Sequence, residues 1–209
     1  MKIDSLVSDD AKQLPIVEQF YSIQGEGYHM GKPAYFIRIG GCDIGCSWCD
    51  TKFSWDPSIH PVVDVDCVIE NLISCKAVSA VITGGEPLMY NLDYLCLELK
   101  KKGIETFLET SGAFKLSGVW NWVCLSPKRK QPPLEEIYSL ANELKVIIAK
   151  PEDIEWAEMN AKLVESTCKL YLQPEWSAYN RILPLIIEYI KANPSWSISL
   201  QAHKFMHIP

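Results

Sequence analysis

The sequence has no long apolar run, no excess of basic residues, and no repeat or low-complexity tract. Its longest apolar stretches, such as 77–83 and 182–190, are far shorter than the about 20 residues that a membrane-spanning helix needs. The opening decapeptide, MKIDSLVSDD, carries acids where a secretory signal peptide has an apolar core. We therefore expect a cytoplasmic protein that has no membrane partner.

The charge balance disfavours a nucleic acid partner. The chain of 209 residues has 20 Lys and Arg against 26 Asp and Glu, a formal net charge of −6. Proteins that grip nucleic acid phosphates normally present a basic face, so we expect no direct nucleic acid binding. The length suits one well-cored domain over 1–209. A homodimer is expected on base rates alone.

Cysteine, in contrast, is plentiful, with eight in the chain. Five lie among apolar neighbours, as small buried side chains do, but Cys42, Cys46 and Cys49 crowd into one glycine-containing loop, GGCDIGCSWCD. Three thiolates are one too few for a closed zinc site or for an electron-transfer [4Fe-4S] cluster. The spacing therefore favours a cluster with one open iron. A zinc site completed by Cys67 or His60, or three unligated thiols, are the alternatives.

Short β-type runs alternate with helical patterns along the chain. The predicted strands are 34–39, 77–83, 104–110, 122–126, 144–148, 169–172 and 197–200. The predicted helices are 65–75, 92–102, 134–142, 152–165 and 179–192. This alternation predicts an α/β fold whose six to seven strands are mostly parallel. Because the units fall short of an eightfold barrel, we expect a partial, open β/α barrel.

The polar motifs of the sequence follow the predicted strands. In α/β folds, functional residues gather at the carboxyl ends of the strands. Segments rich in Gly, Ser and Pro stand directly after five of the runs, at 40–42, 84–87, 111–112, 126–128 and 173–174. This shared placement predicts one functional site at one edge of the sheet.

Arg38 lies within an apolar strand pattern. Alternation places it on the same sheet face as Ala34 and Phe36. An arginine that shares an apolar face is costly unless it is paired, so the pattern indicates an internal anion. A bound anionic ligand is one candidate, and a buried structural ion pair is the alternative.

Several motifs resemble known families. The spacing Cys42-x3-Cys46-x2-Cys49, with Trp48 before the last cysteine, resembles the radical S-adenosylmethionine (SAM) superfamily signature. The whole chain is similar to the 7-carboxy-7-deazaguanine synthase family. That narrower resemblance is carried by YSIQGEG at 21–27, CDT at 49–51, TGGEP at 83–87, ETSG at 109–112, SPK at 126–128, LQP at 172–174 and the HK-x4-P ending at 203–209.

The resemblance implies a carbon–nitrogen lyase of the queuosine (7-deazapurine) pathway. Its reaction would convert 6-carboxy-5,6,7,8-tetrahydropterin to 7-carboxy-7-deazaguanine, with ring contraction and loss of ammonia. The implied cofactors are a [4Fe-4S] cluster on Cys42, Cys46 and Cys49, SAM on the open iron, and Mg²⁺ on the hydroxyl of Thr51. The implied electron donor is a flavodoxin or a ferredoxin.

The resemblance also implies two sets of binding residues. The SAM-binding set is Trp48, Cys49, Asp50, Gly84, Gly85, Glu86, Ser126, Pro127, Lys128, Gln173 and Pro174. The substrate-binding set is Ile23, Gln24, Gly25, Glu26, Arg38, Thr83, His203 and Pro209, the last through a chain-terminal carboxylate. Read without the resemblance, most of these residues would be ordinary turn, capping or surface residues.

Two other functions stay open at this point. One is a radical SAM activase that abstracts hydrogen from a glycine of a partner protein. The other, of a different class, is a zinc-binding interaction module without enzymatic activity, which would be a colourless protein containing zinc in place of iron and sulfide.

Replacing any one of Cys42, Cys46 and Cys49 by alanine should abolish the cluster and SAM cleavage, because a three-thiolate site has no spare ligand. Iron content and SAM cleavage after anaerobic reconstitution measure both effects. Cys67→Ala and Cys75→Ala are the controls, since these cysteines lie in a helical pattern and should keep full iron. Full iron loading in any of the three loop variants would contradict the cluster assignment.

Overall fold

A computed structural model describes residues 11–209, and its centre is an open nine-stranded sheet. The strand order is β3-β1-β2-β4-β5-β6-β7-β8-β9. We expect from the sequence that the acidic segment 1–10 is not a signal peptide, and this segment lies outside the described part of the chain. The strands are β1 (Gln13–Ile23), β2 (Pro33–Ile39), β3 (Val62–Asp64), β4 (Ser79–Gly84), β5 (Glu105–Thr110), β6 (Trp122–Leu125), β7 (Glu143–Ile148), β8 (Lys169–Pro174) and β9 (Trp196–Ile198).

Helices connect most of the strands, and the first five of them pack on one face of the sheet. They are α1 (Val65–Ser74), α2 (Asp93–Lys101), α3 (Glu135–Tyr138), α4 (Asp153–Ala161), α5 (Tyr179–Ala192) and α6 (Ala202–Met206). Apolar side chains of α1 to α5, such as Leu72, Leu99 and Ile186, are fully buried in the main core against the sheet. Burial of each such side chain contributes about 1.5–3 kcal/mol to folding.

The predicted α/β class and open, mostly parallel sheet are confirmed. All seven predicted strands are present, and they form the parallel part of the sheet, from β2 across to β9. Two further strands, β1 and β3, extend one edge with antiparallel pairing. The pattern in β1 was missed because its register shifts between Ile16 and Glu18, which interrupts the alternation of buried and exposed side chains.

Two helical segments differ from the expectation. The predicted helix at 134–142 is a single turn, α3, because Asn142 already bonds to β6: its side-chain oxygen accepts a hydrogen bond from Val123 N at 2.8 Å. The short helix α6 was not predicted, since five residues are too few for a periodic pattern to show. The helix predicted at 179–192 has those bounds in α5.

The two faces of the sheet differ in polarity, as alternation along the strands requires. Tyr35, Ile37 and Ile39 of β2 point into the main core below the helices. The opposite face begins with a small apolar cluster that includes Phe36 and continues towards the carboxyl ends with polar side chains. On β4, β5, β7 and β8 these polar side chains are Thr83, Glu109, Lys145 and Gln173.

Candidate active site

A cleft with two adjoining cavities lies at the carboxyl ends of the parallel strands. The first cavity is lined by Cys42, Cys46, Trp48, Cys49, Gly85, Glu86, Ser126, Lys128, Gln173 and Pro174, among others. The second is lined by Ile23, Gln24, Gly25, Arg38, His203 and Pro209, among others. The residues that line both are Glu26, Asp50, Thr51, Thr83, Gly84, Glu109 and Gln201. Of the residues predicted for the site, Pro127 lines neither cavity.

The cysteine loop presents three free, half-buried thiols to the first cavity. Backbone hydrogen bonds anchor its base, from Gly41 N to Ser54 O at 2.7 Å and from Cys42 N to Trp55 O at 3.1 Å. Burial raises the pKa of Cys42 and Cys46, because it disfavours an uncompensated thiolate. Three free thiols from one loop, open to one cavity, suit a [4Fe-4S] cluster with one open iron.

The alternative of a zinc site can be compared with the same geometry. Within residues 11–209, no three His, Cys, Asp or Glu side chains are gathered as ligands of a single metal ion. The two candidate fourth ligands have other surroundings: Cys67 lies exposed on α1, and His60 Nε2 lies 2.8 Å from the carbonyl oxygen of Phe53.

The Gly84-Gly85 turn packs directly on the base of the cysteine loop. Gly85 N donates to Ile39 O at 2.9 Å, and Glu86 N donates to Gly41 O at 2.8 Å. A Cβ on Gly84 would overlap the carbonyl oxygen of Ile39, and a Cβ on Gly85 would overlap that of Gly41. Glycine is therefore required here for close approach of two backbones.

Glu86 ties this turn to the end of β5. Its carboxylate is buried and accepts hydrogen bonds from Thr110 Oγ1 at 2.6 Å, from Leu88 N at 3.1 Å, and from both the backbone N and the hydroxyl of Ser111. These four donors satisfy the carboxylate, as a buried charge requires. The side chain of Glu86 therefore acts on the shape of the turn, and only the backbone of Glu86 is left for the predicted contact with SAM.

Other residues predicted to bind SAM surround the same cavity. Lys128 Nζ donates to both the carbonyl and the hydroxyl of Ser126 at 2.6 Å and lies 5.5 Å from the ring centroid of Trp48. Burial lowers the pKa of Lys128. Gln173 accepts a hydrogen bond from the Ser199 hydroxyl at 2.6 Å, which fixes the orientation of its amide.

The second cavity is closed by contacts between the opening loop and the end of the chain. Ala202 N donates to Gly25 O at 2.9 Å, and a Cβ on Gly25 would overlap the His203 ring. Ser22 Oγ donates to Pro209 O at 3.3 Å. The polar loop and the His203–Pro209 segment, distant in sequence, therefore form one wall.

Arg38 forms an ion pair with the exposed Glu18, which is not the buried pair of the alternative interpretation, and it also lines the second cavity. Its Nε donates to Glu18 Oε1 at 2.6 Å, and the two side chains are 17% and 43% exposed. The pair uses one of the five N–H donors of the guanidinium. Within the described residues, its terminal nitrogens make no hydrogen bond, and a ligand carboxylate can take both of them.

Three residues that line the cleft were absent from the predicted site: Lys145, Glu109 and Gln201. Lys145 Nζ donates to Glu26 Oε2 at 2.7 Å and to Glu109 Oε2 at 2.9 Å, and Gln201 Nε2 donates to Glu26 Oε1 at 3.0 Å. Burial would raise the pKa of Glu26, but Lys145 and Gln201 outweigh it and lower the pKa to about 2. A lysine within the apolar strand pattern LKVII was the available signal, of the same kind as Arg38.

Asp50 and Thr51 connect the cysteine loop to the second cavity. Asp50 Oδ2 accepts from Lys204 Nζ at 2.7 Å and from Gln201 Nε2 at 3.2 Å, which joins the loop to the end of the chain. The hydroxyl of Thr51 lies 3.5 Å from the sulfur of Cys49. Thr51 therefore stands where the cavity of the thiols meets the cavity of Arg38.

Comparison with known proteins assigns this architecture to a family. The model of the radical SAM superfamily matches residues 36–115, which include the cysteine loop and the GGEP turn. The chain is 47% identical to the 7-carboxy-7-deazaguanine synthase of Flavobacterium psychrophilum, over 96% of this chain and 95% of that protein. The chain belongs to the 7-carboxy-7-deazaguanine synthase family. Another member, from Synechocystis, is 46% identical over 93% of each chain.

The structural comparison agrees with this assignment. The crystal structure of QueE from Escherichia coli superposes with a TM-score of 0.80 at 34% identity, covering 91% of this chain and 95% of that one. The predicted identity as a radical SAM lyase of this family is thereby confirmed, in place of an activase or a zinc module. Membership of the radical SAM superfamily implies a [4Fe-4S] cluster, SAM and a reductant. In residues 11–209, no helix is long and apolar enough to cross a membrane.

Gly85→Ala should weaken retention of the cluster, because the added methyl must displace the Gly41 carbonyl at the base of the cysteine loop. Such overpacking costs about 1–3 kcal/mol of stability. Iron per chain after reconstitution and the melting temperature of the apoprotein measure the two effects. Gly103→Ala is the matched control, because space around Gly103 is open and only its positive φ is strained. Equal iron retention in the two variants would contradict the proposed contact.

Proposed function

We propose that this chain converts 6-carboxy-5,6,7,8-tetrahydropterin to 7-carboxy-7-deazaguanine, with contraction of the ring and loss of ammonia. The observation that carries this proposal is the junction of the two cavities. A cavity with an arginine fork adjoins the cavity of the three thiols, and Thr51, Thr83 and Glu26 line both. A carboxylated ring bound in the second cavity would therefore present its reacting carbon to the first.

The residues of the chain divide the work of binding. Cys42, Cys46 and Cys49 would hold the cluster, and residues 84–86, 126–128 and 173–174 would surround SAM. When bound, the cluster and SAM would supply the radical chemistry that abstracts a hydrogen atom from the substrate. The protein holds the reacting carbon close to the site of that chemistry and excludes water.

The second cavity matches the polar groups of the substrate. Arg38 would bind the carboxylate through its terminal nitrogens. Glu26, kept ionised, would accept from the N–H donors of the amino-pyrimidinone ring, and the opening loop with Gln24 would complete this edge. His203 and Pro209 would close the other side. The hydroxyl of Thr51 would contribute a ligand to Mg²⁺, a hard cation that prefers oxygen ligands and also contacts substrate oxygens.

Four further properties of the protein are inferred together with this reaction. We infer one domain over 1–209, a cytoplasmic location, a homodimer, and reduction by a flavodoxin- or ferredoxin-type donor. The reducing cytoplasm would keep the eight free cysteines and the cluster intact. The homodimer follows only from the prevalence of twofold oligomers.

Anaerobic turnover of the carboxytetrahydropterin tests the function directly. The reconstituted protein with SAM, Mg²⁺ and a reductant should release 7-carboxy-7-deazaguanine and one ammonia per substrate, detected by mass spectrometry and an ammonia assay. Deoxyadenosine accumulation without a deazaguanine product would refute the proposed substrate while leaving the radical SAM chemistry intact.

Arg38→Ala should keep the cluster and uncoupled SAM cleavage but bind the substrate more weakly, by on the order of a hundredfold or more. Removal of one partner of a buried charge pair costs about 3–5 kcal/mol. Arg38→Lys should rescue binding only partly, because lysine lacks the planar fork. Glu18→Gln is the control: it removes the structural ion pair alone and should change affinity far less. Equal losses in Arg38→Ala and Glu18→Gln would mean that the arginine is structural.

Thr51→Ala should raise the Mg²⁺ concentration required for half-maximal turnover by about tenfold or more. Loss of groups that merely support a metal ligand already costs about 10–100-fold in metal affinity. Thr51→Ser keeps the hydroxyl and should behave as the unaltered enzyme, whereas Ser58→Ala, at an exposed turn, should have no effect. A Mg²⁺ titration of turnover that is identical in Thr51→Ala and Thr51→Ser would exclude the hydroxyl as a ligand.

A further inference from the structure

Lys145 is a buried lysine in the cleft for which the sequence motifs assign no role. It lies in β7, its side chain is 5% exposed, and it donates to a carboxylate on each side, 2.7 Å to Glu26 and 2.9 Å to Glu109. Burial of a lysine among protein atoms costs several kcal/mol unless the charge is compensated. The charge of Lys145 is therefore stable here only because the two carboxylates that it joins compensate it.

The two carboxylates come from different parts of the fold. Glu26 belongs to the opening loop, and Glu109 belongs to β5, two strands away from β7 in the sheet. Both line the junction of the two cavities. Because the loop at Glu26 is not part of the sheet, its side chain needs such a tie to hold one position over the cleft. Lys145 and Gln201 are the donors that supply it.

We propose that Lys145 is a positioning residue for substrate recognition, holding Glu26 in place and ionised at the junction of the two cavities. This inference rests on the proposed function, since it deepens the role given there to Glu26. Lys145 does not itself contact the reacting atoms. It acts through Glu26.

The hydrogen bonds of Glu26 show why its position matters for recognition. Lys145 occupies one lone pair of Oε2, and Gln201 occupies one lone pair of Oε1. Each oxygen keeps further acceptor capacity, so the carboxylate remains a two-oxygen acceptor at the cleft. Two adjacent N–H donors, as on an amino-pyrimidinone ring, match that geometry, and a protonated carboxyl would replace one of the acceptors by a donor.

The charges around Glu26 determine what happens without Lys145. Burial is the largest influence on Glu26 and acts against its charge, so the cation of Lys145 is needed to keep the pKa low. Burial alone would likewise lower the pKa of Lys145, but Cys124, Glu109 and Glu26 together raise it well above its usual value. The titratable or charged groups that face Glu26 or Lys145 are Asp50, Glu109, Cys124, Lys128, Glu143 and His203.

The test is the pH dependence of substrate affinity in cluster-loaded protein, measured anaerobically by calorimetry with the carboxytetrahydropterin between pH 6 and 8. In the unaltered protein, protonation of Glu26 should not change the substrate affinity within this pH range. In Lys145→Met, Glu26 loses its cation, so burial, which acts against the charged carboxylate, should raise its pKa. Affinity should then fall by about tenfold for each pH unit below the new pKa.

Reference variants isolate this effect from other titrations. The glutamine of Glu26→Gln cannot titrate. Dividing the affinity of each protein by that of Glu26→Gln at the same pH therefore removes the pH dependence that comes from His203 and from the substrate itself. Lys145→Arg keeps the charge and should keep the flat profile even if its larger side chain weakens binding. Lys150→Met removes an exposed cation just after β7 and should match the unaltered protein. Thermal melting of each variant reports stability separately.

The outcomes separate the two proposals. A flat profile and unchanged affinity in folded Lys145→Met would overturn the positioning role, while normal turnover by the unaltered protein would leave the proposed function standing. If Lys145→Met does not fold, the unaltered protein decides. A tenfold loss of its affinity between pH 8 and 6 that disappears in Glu26→Gln would show that Glu26 is not held ionised, which also overturns the role. Failure of the unaltered protein to bind the pterin would overturn both proposals.

Discussion

The contact between the ends of β2 and β4 is the constraint on which the site depends. These parallel strands pair in register, Ile39 beside Gly84, so the chain leaves both strands at the same level. The absence of side chains at Gly84 and Gly85 then lets the turn donate hydrogen bonds to the carbonyls of Ile39 and Gly41. The cysteine loop thereby starts from a rigid base, and its three thiols open to the cavity above the sheet.

Charge compensation is the second principle of the cleft. The polar face of the sheet carries several charged groups, and burial of a charge is costly unless the charge is paired or saturated with hydrogen bonds. Glu86 has four donors, and Lys145 has two carboxylates. Arg38 is paired only through Nε, so its fork keeps donors for an anionic ligand. Saturated charges give the site its shape, and the incompletely paired one offers a place to bind.

Much of the site could be predicted because its signals are local. The spacing of Cys42, Cys46 and Cys49 lies in one loop, and the GGEP turn is four consecutive residues. Alternation within β2 is enough to place Arg38 on the inner face. Strand β1 escaped prediction because a register shift interrupts its alternation, and the one-turn helix α3 was overextended because Asn142 bonds to the neighbouring strand.

The sequence by itself determined the class of fold and the cysteine loop, because these depend on periodicity and on motif spacing, whereas most residues of the cleft were predicted through the resemblance to a known family. The tertiary structure alone decided which charges share a space. Lys145, Glu26 and Glu109 are separated by up to 119 positions, yet their side chains meet at 2.7 and 2.9 Å. Neither the hydrophobic period nor the spacing of motifs indicates contacts between residues so far apart in the chain. These contacts form only when a loop, β5 and β7 converge over one face of the sheet.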